Sequence, residues 1–384
     1  MQIENKGALK DLRTWLEISK NAINSNIANY KKIIGDKILA PVIKSNAYGH
    51  GMIEVAKICE QNKDISWVCV ANSSDAIVLR QNGFTKNILV LSFIGHHEEQ
   101  LIAQNISLIA YNLEEIAKLN IIAKNIGKKA HIHIKIDTGL SRLGVQPNEA
   151  LSFVKQVQNF DFIEIQGIWT HFAEQASENR EYTNLQATRF NNVIKELKKE
   201  NIKIPLIHSS SSAGILTVKL EYDNFYRPGV SFYGYWPSEY TKNFAHQNYP
   251  NFKLTPCMTW KTQVCCIKNI PAGSFVGYNR TFQATKDTKI AIIPVGYYDG
   301  YDRRFSNIGS VIINNQICKI TGLICMNVIM IDVTDVKDIK VGDIAILIGN
   351  APKVNIDHMA ELVDMNSRDI TSKISLEIPR IVVD

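Results

Sequence analysis

From about residue 15 to residue 235, short runs of β-branched and apolar residues alternate with longer amphipathic stretches, and this alternation constrains the fold more than any other feature. Strand-like runs fall at 38–43, 67–70, 88–91, 108–110, 131–136, 163–169, 206–208 and, shorter, near 228–232. Between them, stretches such as 52–61, 113–125 and 184–200 carry apolar residues at three- and four-residue spacing, as helices with one buried face do. Eight strands, each followed by a helix, predict an α/β fold with an N-terminal (β/α)8 barrel of the TIM type. An open doubly wound sheet fits less well, because no Gly-x-Gly-x-x-Gly follows the first strand.

After Trp236 the texture changes. Residues 237–253 are polar and rich in Asn and Tyr, which reads as a linker. Beyond it, strand-like runs at 258–267, 289–294, 310–313, 317–321, 328–333 and 343–348 are punctuated by turn signals such as Pro271-Ala272-Gly273 and Asn314-Asn315. The expected organisation is a barrel over 13–240 and a mostly β domain over 250–384 that also takes residues 1–12, two domains being usual for 384 residues.

Composition excludes several classes. The net charge of +6 is scattered, and basic residues cluster no further than pairs such as Lys198-Lys199 and Arg303-Arg304, so no nucleic-acid partner is expected. Seven cysteines form no Cys-x-x-Cys pair, which argues against a disulfide framework and for a reducing, cytoplasmic setting. The first residues lack the apolar core of a signal peptide, and nowhere is there an apolar stretch long enough to span a membrane. His131 and His133 share one face of a strand but lack an evident third ligand, so no metal is expected and barrel packing is the plainer reading.

In a barrel, functional side chains lie just past the carboxyl ends of the strands. Lys44 follows the first strand, Arg142 lies in the loop after the fifth, and His171 follows the sixth. Ser209 to Ser212 follow the seventh, and Arg227-Pro228-Gly229 belongs to the eighth. Small residues after strands seven and eight suit a phosphate, because backbone N–H groups can approach it closely. A lysine at the mouth of an apolar strand, among other cations, has a depressed pKa and the nucleophilicity that Schiff-base chemistry needs.

The run 42–51 (VIKSNAYGHG) resembles the pyridoxal-phosphate signature of the alanine racemase family. So do 135–144 (KIDTGLSRLG), 170–173 (THFA), His208 with Ser212-Ala213, 227–230 (RPGV), 276–281 (VGYNRT), 293–300 (IPVGYYDG) and 322–326 (GLICM). They occur in the family's order from about residue 13 to the C-terminus.

The resemblance implies pyridoxal 5'-phosphate as cofactor and a head-to-tail homodimer with shared active sites, interconverting L- and D-alanine for peptidoglycan. It implies that Lys44 carries the cofactor and acts as one base, and that Tyr278 of the partner subunit acts as the other on the opposite face. Arg227 would meet the pyridine nitrogen, donating without giving the ring a full proton, and His171 would lie between Tyr278 and Arg227. Tyr48, Ser212, Gly229 and Val230 would hold the phosphate. Arg142, the backbone of Met326 and Tyr297 would orient or admit the substrate. Lys135 aligns with a lysine that is carbamylated in some members.

Two positions depart from the family pattern. Asn327 follows Cys325-Met326 where the family has aspartate, and Arg368 stands where a tyrosine usually reaches the phosphate. They keep open a broad-specificity racemase acting on serine or basic amino acids. A fold-related decarboxylase would set an acid, not Arg227, against the ring nitrogen, and a non-catalytic cofactor carrier would lack the β domain.

Overall fold

The computed structural model describes residues 12–384; residues 1–11, assigned above to the β domain, lie outside the described residues. The chain divides into two compact units. One comprises Ile23–Ala47 and Val55–Thr255; the other comprises residues up to Ala22, Tyr48–Glu54 and Pro256–Asp384. The barrel expected from residue 13 therefore begins at Ile23.

The first unit is built on six parallel strands in sequence order: Trp67–Asn72, Asn87–Phe93, Ser107–Ala110, Ala130–Lys135, Ile163–Trp169 and Leu206–His208. A parallel pair, Ile38–Leu39 with Phe225–Tyr226, completes the ring. Bridges at Leu39/Ile65 and Val42/Cys69 tie it to one edge of the six, and a bridge at Ser211/Arg227 ties it to the other. The sequence reads apolar without interruption at Val68-Cys69-Val70 and Ile88-Leu89-Val90, all fully buried, because these strands face side chains inside and helices outside.

Two expectations need correction. The eighth strand is Phe225–Tyr226, and 228–232 is not a strand: Val230–Tyr233 is a 3-10 turn. Pro228 has no N–H for a ladder, and its carbonyl instead accepts from Val42 N at 2.9 Å. Nor is 237–253 a bare linker, since Glu239–Asn248 is helical. Its start is capped by Ser238, whose Oγ accepts from Thr241 N at 3.1 Å, and only Thr241 and Ala245 are buried on it. So narrow an apolar face gives almost no periodic signal.

The second unit is a nine-stranded sheet. Thr14–Ser19 lies within it, antiparallel to Met258–Gln263 and parallel to Arg380–Val383. Thr14, Trp15, Leu16 and Ile18 are all buried along that strand, as in a strand inside either unit. Val276, Ile290 and Met330 form a small core against which Cys325 and Val328 pack, so the segments carrying Tyr278 and Met326 share one support.

Candidate active site

In the barrel unit the residues singled out above converge on His171. Burial, and then the charges of Arg227, Lys135, Arg142 and Lys44 in that order, push its imidazole down to about 3. His171 is therefore neutral at physiological pH and ringed by four cations from three strand ends. Lys44 is half-buried and opens a turn in which Ser45, Asn46, Ala47 and Tyr48 all have φ between 51° and 55°. Four successive non-glycine residues in the left-handed region are strained backbone, of the kind found where a functional side chain must be aimed.

Arg227 is 2% exposed. Its guanidinium donates to His208 Nδ1, to Thr170 O at 2.9 Å and to Ser209 O at 3.3 Å. Burial lowers it to about 10, opposed by Cys69 and Asp223, so it stays charged. Its Cζ lies 4.7 Å from the centre of the Trp169 ring, and Lys135 Nζ lies 4.5 Å from the same ring. Lys135 is buried, its Nζ has no hydrogen-bond partner among the described residues, and burial with Arg142 and Arg227 brings it down to about 8. Two buried cations on one indole call for an anion.

The loops after strands seven and eight gather donors. Ser212 Oγ accepts from Gly229 N at 2.9 Å and Ser231 N at 3.2 Å, which also brings Val230 to that place. The hydroxyls of Tyr30 and Ser231 are buried there, beside Ser212. Asp223 anchors the serine loop from below, accepting from Ser210 Oγ at 3.1 Å and Ser209 Oγ at 2.5 Å. Arg142 is exposed on a loop that Asp137 pins, its Oδ1 accepting from Gly139, Leu140 and Ser141 N at 2.9–3.0 Å.

The β unit places its share of the residues on its surface. Tyr278 is 67%, Met326 52% and Tyr297 42% exposed. Tyr297 N donates to Cys325 O and Tyr298 N to Met326 O, both at 3.1 Å. That contact requires Gly296, where a Cβ would sit 2.2 Å from Met326 O. Tyr297 also lines a cleft of about 550 Å³ with Tyr298, Asp302, Arg303 and Lys373. Tyr48 is pushed up to about 12 by burial, against which the charge of Arg368 acts, so those two are neighbours in this unit.

Family models match the chain end to end: the alanine racemase N-terminal domain over residues 18–237 and the alanine racemase C-terminal domain over 257–382. The chain is 36% identical to an alanine racemase of Methanococcus maripaludis, over 96% of this chain and 98% of the relative. It is 37% identical to one of Clostridium perfringens, over 96% and 94%. The chain belongs to the alanine racemase family. A solved alanine racemase of Clostridium difficile 630 superposes with a TM-score of 0.91 at 33% identity, covering 97% of this chain and 96% of that one. The alanine racemase of Bartonella henselae, solved with covalently bound pyridoxal phosphate, superposes at 0.82 with 25% identity over 97% and 100%.

Membership in the alanine racemase family does not by itself draw attention to His133. Read above as packing, it is fully buried, with Nδ1 2.8 Å from His208 Nε2. Its strand neighbour His131 lies at the rim, 3.6 Å from Glu164. Only the register of their strand against Ile163–Trp169, which in turn pairs with Leu206–His208, separates the two roles.

Proposed function

We propose that Lys44 and Tyr278 are the two bases with which this alanine racemase interconverts L- and D-alanine, with Tyr278 supplied by the partner subunit. The observation that carries this reading is the neutral His171 set among Lys44, Arg142, Lys135 and Arg227. Such a cluster suits a ligand bearing several negative charges, and a phosphorylated cofactor with a carboxylate substrate is one.

The donor set fits pyridoxal phosphate. Ser212, Gly229, Val230 and Tyr48 would hold the phosphate, and the buried hydroxyls of Tyr30 and Ser231 lie beside it. Arg368 would add charge to Tyr48 at the place of the family's tyrosine. When bound, the cofactor spreads the charge left at an amino acid's α-carbon and so acidifies the α-proton. Lys44 Nζ would take that proton from one enantiomer, and the phenol of Tyr278 would return one from the far side. The pair would exchange roles for the other enantiomer. Arg227, held by His208 and two carbonyls with no carboxylate bonded to it, would donate to the ring nitrogen while leaving it without a full proton. Arg142 and the partner subunit's Met326 backbone would orient the carboxylate, with Tyr297 at the entrance.

The exposed Tyr278, Met326 and Tyr297 support a homodimer, since large apolar groups gathered on one surface mark a subunit contact. Among the described residues no helix is long and apolar enough to cross a membrane. We place the enzyme in the cytoplasm, where it would supply D-alanine for peptidoglycan.

Purified protein should show the visible absorption of the lysine-bound cofactor, and Lys44→Ala should abolish it. A band that survives the substitution contradicts the assignment. A panel of enantiopure amino acids then sets substrate range, with alanine expected to turn over fastest.

A further inference from the structure

Three side chains in the barrel interior fix one another's protons. A guanidinium is a donor at every nitrogen, so His208 Nδ1, which receives Arg227, must carry a lone pair. The proton of a neutral imidazole then stands on Nε2. His208 Nε2 lies 2.8 Å from His133 Nδ1, which must therefore accept, leaving the proton of His133 on its own Nε2. Burial, and next the charge of Arg227, keep both rings uncharged. The chain of donors runs in one direction only, from Arg227 through His208 to His133.

The surroundings of His133 do not call for a polar side chain. Its ring packs edge-on against Trp67 at 5.6 Å and Phe225 at 6.1 Å, and its Nε2 is buried with no partner among the described residues. A phenylalanine would fill this aromatic cage with no buried donor of its own, but it would take away the acceptor of His208 Nε2–H, and a stranded buried donor is destabilising. The fold also makes room for the imidazole. Gly167, opposite His133 in the next strand, would place a Cβ 2.3 Å from Nδ1, the atom that accepts from His208.

We propose that His133 is a positioning residue for Arg227: by accepting from Nε2 of His208 it holds that ring in the one tautomer able to receive the guanidinium. Arg227 uses three of its donors on His208, Thr170 and Ser209, and this anchoring sets where the others point. The proposal rests on the reading that those remaining donors face the cofactor's ring nitrogen.

The test has two arms. In holoenzyme labelled with 15N-histidine, His208 should show a bare Nδ1 and a protonated Nε2, with scalar coupling across the hydrogen bond to His133 Nδ1. A His208 protonated on Nδ1, or charged, overturns the proposal. In kinetics, His133→Phe keeps the ring's shape and removes the acceptor. It should lower kcat by about tenfold to a hundredfold in both directions with KM little changed, the scale expected for a misplaced catalytic group. His133→Asn, whose Oδ1 takes roughly the place of Nδ1, should recover most of the loss. If the two variants lose equally, or Phe loses nothing, His133 is packing only. Wild-type protein that racemises no amino acid would instead overturn the racemase reading, while the tautomer measurement would still stand or fall by itself.

Discussion

Gly167→Ala perturbs the relay without removing any polar group. The added Cβ would meet His133 Nδ1 at 2.3 Å, Cε1 at 2.7 Å and Cγ at 2.9 Å. Because the methyl sits on the neighbouring strand directly opposite His133, the ring must give way, by about 1 Å before contact becomes ordinary. The 2.8 Å bond to His208 would then open. Overpacking of a tight core costs about 1–3 kcal/mol. Leaving the buried Nε2–H of His208 without an acceptor costs about another 1–3 kcal/mol. The sum, about 2–6 kcal/mol, is a large part of the stability of an ordinary domain. Urea unfolding of the holoenzyme, followed by barrel tryptophan fluorescence, should show the barrel transition at markedly lower urea. The surviving folded fraction should also turn over more slowly than wild type. A variant within about 0.5 kcal/mol of wild type and equally active would refute the reasoning, since that is the range of a substitution that meets nothing.

Acid should unfold the barrel earlier than its surface charges suggest. His133 is held down to about 3 and His208 is also lowered, so below the ordinary histidine value the unfolded chain binds protons that the fold refuses. Each group then removes about 1.4 kcal/mol per pH unit as pH falls below about 6.5. Asp223 acts oppositely: burial raises it to about 6, so the fold takes up a proton before the unfolded chain does. Its contribution grows on acidification from about pH 6 to about pH 4 and offsets one histidine. Asp223→Asn should therefore steepen the acid loss in that window, and an unchanged slope would contradict the assignment. Lys135, lowered to about 8 by burial and so more readily deprotonated than an ordinary lysine, should carry a carbamate. Protein equilibrated with 13C-bicarbonate should show one carbamate resonance that Lys135→Ala removes, whereas an anion merely bound would leave no such signal. In the β unit Gly49 has φ +88° and a Cβ there would lie 1.9 Å from Thr371 O, so Gly49→Ala should cost at least about 3 kcal/mol. Wild-type stability of that variant would show the backbone to be looser than the structure has it.

The barrel was readable because its strands are buried on both faces and its helices on one, so both periods are written into the residues. Lys44, Arg142 and His171 were readable for the same reason: each follows a strand that announces itself, whereas Arg227 was read onto a strand at 228–232 that the structure places before it, at Phe225–Tyr226. What escaped reading depended on pairing. Whether His131 or His133 meets His208 is set by a register shift between Ile132 and His133, which leaves no mark on either strand alone. Thr14–Ser19 was misassigned because a buried strand does not say which sheet it joins. The helix at Glu239–Asn248 was missed because only two of its residues are buried.

The central claim, two bases on opposite faces, is tested most directly by the first turnovers of L-alanine in D2O. Two separate bases predict that newly formed D-alanine carries solvent deuterium at its α-carbon from the outset, while unreacted L-alanine does not yet carry it. The same should hold with the enantiomers exchanged, and Tyr278→Phe should impair the return of the proton on one face. Product that retains the substrate's own α-proton, or a Tyr278→Phe enzyme as fast as wild type in both directions, would contradict the assignment of Lys44 and Tyr278.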